Sequence, residues 1–142
     1  MMKKLIRAAF VYAMLALAGG VFYREFTKFN GFTGKTALST VHVHLFVLGM
    51  AFFLIAALWD KTGRLSAQKG FGWFFGLYNA GLSVTVAALI TRGVIQVLEI
   101  TPSKGLDASL SGVAGLGHIL LGVGLLLFFL TLQCTVRVNK GK

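Results

Sequence analysis

The stretch Thr40-Val-His-Val-His-Leu-Phe-Val-Leu-Gly49 sets two imidazoles inside a run apolar enough to cross a bilayer. The run begins near Leu38 and continues without a formal charge to Trp59. An α-helix needs about 20 such residues to traverse roughly 30 Å of hydrocarbon. Working outward, three further runs of that kind appear at 5–23, 71–98 (apolar as far as Thr91) and 110–135. No alternating pattern suggests a barrel, and irregular backbone exposed to lipid would leave its polar groups unpaired. The expected fold is therefore all-α and integral to the membrane. It is a single domain, 1–142, with four transmembrane helices at 5–23, 38–59, 71–98 and 110–135. Short connections make neighbouring helices antiparallel, in an up-down bundle.

Composition supports this reading. The chain has 142 residues, 56% of them hydrophobic, and a mean hydropathy of +0.80. A soluble domain of this size keeps too much surface exposed to hide that apolar content. The single cysteine, Cys134, excludes an internal disulfide and a cysteine-rich metal centre, and its apolar surroundings in sequence mark it as packing. A formal charge of +10 is compatible with nucleic acid. The cations, however, cluster at the ends of apolar runs and form no stripe with interleaved aromatics, so no nucleic-acid partner is expected.

The basic residues also orient the chain. Lys3, Lys4, Arg7, Lys61, Arg64, Lys69, Arg137, Lys140 and Lys142 fall on one side, and Arg24, Lys28, Lys35, Arg92 and Lys104 on the other. That bias puts both termini and the 60–70 loop in the cytoplasm, for a multi-pass protein of the bacterial cytoplasmic (inner) membrane. The first run has a basic start like a secretory signal. It passes through Val21-Phe-Tyr without a small-x-small cleavage site and is expected to be a retained helix. Asn30-Gly-Phe-Thr-Gly34 and Thr101-Pro-Ser-Lys-Gly105 read as turns, and Ser109 reads as a cap for the fourth helix.

The three histidines are His42, His44 and His118. An ionisable side chain within a membrane span marks a functional site by default, because hydrocarbon offers its nitrogens no partner. From the outer helix ends, His42 and His44 lie roughly 6 to 9 Å deep and His118 roughly 12 Å deep, close enough to serve one ligand. His42 and His44 are about 200° apart around a helix, so one site takes only one of them. Gly49 shares the flank of His42, while Gly115 and Gly122 bracket His118. Glycines beside a histidine suit the edge of a flat macrocycle. The expected cofactor is one haem b per chain with His42 and His118 as iron ligands, His44 being the alternative. Zinc would want four donors, and a three-histidine copper centre would need His42 and His44 to converge. Two axial imidazoles leave no open position, which suits electron transfer over oxygen chemistry.

Arg92 and Arg24, at the outer ends of their helices, are candidate partners for haem propionates, since guanidinium holds carboxylates through two parallel hydrogen bonds. Tyr78 and Asn79 are expected to bond a neighbouring helix. The small residues Gly72, Gly76 and Ala80 form a stripe for close helix contact, within the bundle or in a homo-oligomer. Membrane lipid is the surrounding partner, and a quinone or a redox protein would exchange electrons.

Val41-His-Val-His-Leu-Phe-Val-Leu-Gly49 resembles the second-helix segment of the haem–copper oxidase superfamily, nitric oxide reductases included. There a histidine followed seven residues later by glycine ligates a low-spin haem b, which implies that role for His42. NnrS-type haem proteins carry a similar His-x-His-Leu stretch. The whole chain also resembles a bacterial family of small four-helix membrane proteins of unknown function. The oxidases have about twelve helices and three further copper histidines. Those are missing here, so oxygen or nitric oxide reduction is not implied.

The leading expectation is a haem b membrane protein for electron transfer, or for sensing or buffering haem or a gas. A transport or channel subunit with a histidine-lined path is the alternative. Against it, Glu25, Asp60, Glu99 and Asp107 all lie near helix ends. A membrane enzyme of the glutathione-transferase type ranks last, since its arginine-rich and Asn-x-x-Glu motifs are absent. No nucleophile–base pair, phosphate loop or carboxylate dyad points to catalysis.

Overall fold

A computed structural model describes the backbone of residues 2–139 and the side-chain surroundings of residues 2–135. Of the charge count above, Arg137, Lys140 and Lys142 have side chains outside the described residues. Among the described residues there are four long helices, α1 (Met2–Phe29), α2 (Leu38–Gly63), α3 (Phe71–Val97) and α4 (Lys104–Asn139), with a short 3-10 turn at Leu65–Ala67. Each helix is long and apolar enough to span a membrane. All four outrun their apolar segments, α2 reaching Gly63 and α3 reaching Val97. α1 continues to Phe29, and α4 starts at Lys104 instead of near residue 110. The Ser103 hydroxyl accepts from the Leu106 amide at 3.3 Å and so caps α4. Ser109 is not the cap. It lies inside the helix and donates to the Gly105 carbonyl at 2.8 Å.

Neighbouring helices run antiparallel, as their facing residues show. Gly20 faces His42 and Gly49 faces Tyr12, which sets α1 against α2. Gly93 faces Leu38, and the Tyr78 hydroxyl donates to the Leu48 carbonyl at 2.9 Å, which sets α2 against α3. Gly117 meets Thr85, Gly81 meets Leu121 and Gly124 meets Tyr78, which sets α3 against α4. α3 is the shared neighbour. Its Asn79 side takes α1 through a 2.7 Å bond from the Tyr12 hydroxyl, and its Gly81/Thr85 side takes α4.

The core is aromatic and lies toward the end that carries the 64–70 connection. Phe52 stacks on Tyr78 at 4.2 Å and meets Phe128 edge-on at 5.0 Å, while Tyr12 stacks on Phe53 at 5.7 Å. Such ring pairs are favourable beyond the area they bury. Arg64 reverses the chain there in a left-handed conformation (φ 53), and the Asp60 carboxylate receives the Ser66 amide at 2.6 Å. At the far end, the Thr36 hydroxyl donates to the Gly93 carbonyl at 3.0 Å and the Ala37 amide to the Gln96 side chain at 2.8 Å. These bonds staple the first connection onto α3.

One local feature has no signal in the sequence. Residues Leu45–Ala51 of α2 are π-helical. A π stretch is rare and concentrates at functional sites. Here its widened turn exposes the Leu48 carbonyl to Tyr78 and sets Gly49 against Tyr12. The stretch begins directly after His44.

Candidate functional site

His42 and His44 face opposite flanks of α2. The His42 ring stacks on Tyr23 of α1 with centroids 6.4 Å apart and touches Gly20. Its Nδ1 is buried and has no hydrogen-bond partner. Gly49 shares this flank, but the room it leaves is filled by Tyr12, which would lie 2.6 Å from an added Cβ. The glycine admits helix α1 and clears no space beneath the imidazole.

His44 lies about 200° round the helix from His42. Its Nδ1 sits 2.9 Å from the Thr40 carbonyl. Carbonyl oxygen only accepts, so Nδ1 carries the hydrogen, and the neutral ring then presents a lone pair at Nε2. Phe52 follows eight residues later, and the surplus residue of the π turn returns it to roughly the flank of His44. Phe52 is the residue that meets Phe128 of α4, so the His44 flank is the one turned toward α4.

His118 repeats this arrangement on α4. Its Nδ1 is 2.8 Å from the Ala114 carbonyl, one turn back, and the ring is otherwise exposed. Gly117 and Gly124 face α3. Rotating from Gly124 to Phe128 turns toward α2, and rotating from Gly117 to His118 turns the same way by about 100°. Both helices keep level with α3: Gly117 lies opposite Thr85 and Leu38 opposite Gly93. On that register His44 and His118 differ in height by roughly 5 Å, about one helical turn.

By helical geometry the two rings lie on flanks of α2 and α4 that turn toward the same side of the bundle. Toward the 64–70 end the two helices meet where Phe52 contacts Phe128 and where Gly63 abuts Thr135. An added Cβ at Gly115 or Gly122 would meet nothing within 4 Å, so the α4 surface beside His118 is flat and open. At the far end Arg92 is tied to α4: its guanidinium donates to the Ser111 hydroxyl at 2.8 Å and pairs with the Asp107 carboxylate at 3.2 Å. Beyond it a cleft of about 530 Å³ opens, bordered by Lys35, Arg92 and Gln96. Arg24 is distant in role: it is exposed and pairs only with its neighbour Glu25, at 3.8 Å.

Among the described residues no three His, Cys, Asp or Glu side chains gather together. On both His44 and His118 a backbone carbonyl one turn back fixes Nδ1–H and leaves Nε2 as the acceptor nitrogen. Tyr78 and Asn79 bond neighbouring helices as expected, through Leu48 and Tyr12; the residues missed from sequence are Thr40 and Ala114, whose carbonyls fix the two rings, and Tyr12. An acceptor carbonyl four residues before each histidine is inherent in helical spacing, so that signal was readable.

Residues 2–135 match the family described as "Protein of unknown function (DUF2871)", and the chain belongs to that family. No curated protein and no solved structure matches it.

Proposed function

We propose that this family member is a multi-pass membrane protein that binds one haem b in the groove between α2 and α4, with the Nε2 atoms of His44 and His118 as axial ligands. The observation that carries this reading is the matched pair of Nδ1–H bonds to Thr40 and Ala114, on two rings that helical geometry turns toward one side of the bundle. His42, the histidine that the oxidase-like spacing to Gly49 favours, packs against α1 and becomes the second choice. With both axial positions taken, bound haem would supply one-electron chemistry and no vacant site for oxygen. Electron transfer is accordingly the leading role, with haem or gas buffering behind it. Arg92 and Lys35 stand where a propionate would emerge at the far end. The bias of Lys and Arg supports a cytoplasmic position for the termini and the 64–70 connection, and with it a haem site in the outer leaflet. A quinone or a membrane redox protein is the exchange partner, and a homo-oligomer is the proposed assembly.

Reduced-minus-oxidised spectra of protein purified after haem supplementation test this directly. Wild type and His42→Ala should show the sharp α-band of six-coordinate haem b. His44→Ala and His118→Ala should lose it. A colourless wild type would sink the proposal, and loss in His42→Ala with retention in His44→Ala would return the ligand role to His42.

A further inference from the structure

The side of α1 away from the haem groove holds a second feature that the proposed function does not use. Between α1 and α3 lies an open cleft of about 500 Å³. Its walls are apolar over most of their length, through Val11, Leu15 and Phe75. Lys4 and Arg7 stand at its mouth, three residues apart and hence on one face of the helix. Neither pairs with any of the four carboxylate side chains, whose ion pairs involve Arg24 and Arg92. Five residues deeper, about 7 Å along the axis, the cleft reaches Tyr12, Asn79 and Ser83. Tyr12 donates to Asn79 at 2.7 Å, and Asn79 uses one amide hydrogen on the Phe75 carbonyl at 2.6 Å. Its second amide hydrogen remains for a guest.

Along the cleft the cations come first, the apolar Val11 and Phe75 follow, and the Tyr12–Asn79 pair and Leu15 lie deeper. Two cations at one end of a mainly apolar cleft match a molecule with an anionic head and a long chain. We infer that the α1–α3 cleft is a binding site for an anionic phospholipid of the surrounding membrane. Lys4 and Arg7 hold the phosphate, and an acyl chain lies along Val11, Phe75 and Leu15, passing the Asn79 amide. A quinone has the chain but no charge for the two cations to meet, so it is the less suitable guest. The inference rests on the bilayer placement proposed above and is independent of haem.

The test uses full-length protein extracted from membranes and placed in equimolar phosphatidylglycerol and phosphatidylcholine, with retained lipid counted by native mass spectrometry. Protein found only in the soluble fraction would defeat the bilayer placement before this test begins. Wild type should retain phosphatidylglycerol selectively. Lys4→Gln with Arg7→Gln should lower that retention roughly tenfold or more, since each cation near a lipid phosphate contributes about 1 kcal/mol. Val11→Trp should lower it too, by filling the chain's path with both cations intact. Lys3→Gln with Lys69→Gln removes the same charge outside the cleft and should leave retention unchanged. The inference is overturned if that control loses as much lipid, if Val11→Trp has no effect, or if a quinone occupies the cleft in place of phospholipid.

Discussion

Gly49 shows how one missing methyl group sets a helix contact. Its absent Cβ is the space that Tyr12 occupies, so Gly49→Ala forces either the ring or α1 outward. Overpacking of that kind costs about 1–3 kcal/mol. A lowered thermal midpoint in detergent is the expected result, and an unchanged midpoint would mean that α1 is held elsewhere. The histidines teach a related lesson. Periodicity alone makes it plain that His42 and His44 face opposite ways. Which of them meets α4 depends on where the neighbours lie, and no residue in the 40–49 stretch encodes that. The spacing from His42 to Gly49 was a genuine same-flank relation, but the partner that needs the glycine is a tyrosine.

At the scale of elements, the four spans were legible because hydropathy marks the part of a helix that must shed water. Their ends were less so. Lys28 in the last turn of α1 and Lys104 with Gly105 at the start of α4 continue the helices beyond the apolar runs, where hydropathy carries no information. The π turn was not legible either, since its residues Leu45–Ala51 have no composition that separates them from ordinary helix. It nevertheless controls the site, because it sets the phase between His44 above it and Phe52 below. Deleting Val47 should restore α-helical winding and keep His44 in phase with Phe52, because seven α-helical steps bring the chain back to within about 20° of the same flank. Circular dichroism should then show the helix content kept, and the six-coordinate haem spectrum should survive. Loss of that spectrum would show that the widened turn does more than set the phase.

The whole molecule is asymmetric from end to end. Aromatic rings seal the half near the 64–70 connection, and at the other end α3 and α4 are joined by Arg92 through Ser111 and Asp107. That ion pair is partly exposed, so Arg92→Ala should change thermal stability of the haem-free protein by no more than about 1 kcal/mol. If the guanidinium also holds a propionate, the same variant should retain haem more weakly and shift its midpoint potential. A potential identical to wild type would remove Arg92 from the site. The outward face of α3 at Gly72 and Gly76 has no neighbour within 4 Å of an added Cβ, which leaves the small-residue stripe unused within one chain.

The stack of Phe52, Tyr78 and Phe128 has a consequence for traffic. A guest beside His44 and His118 would meet those rings before it reached the 64–70 connection, so the proposed haem would occupy the half of the bundle away from that turn.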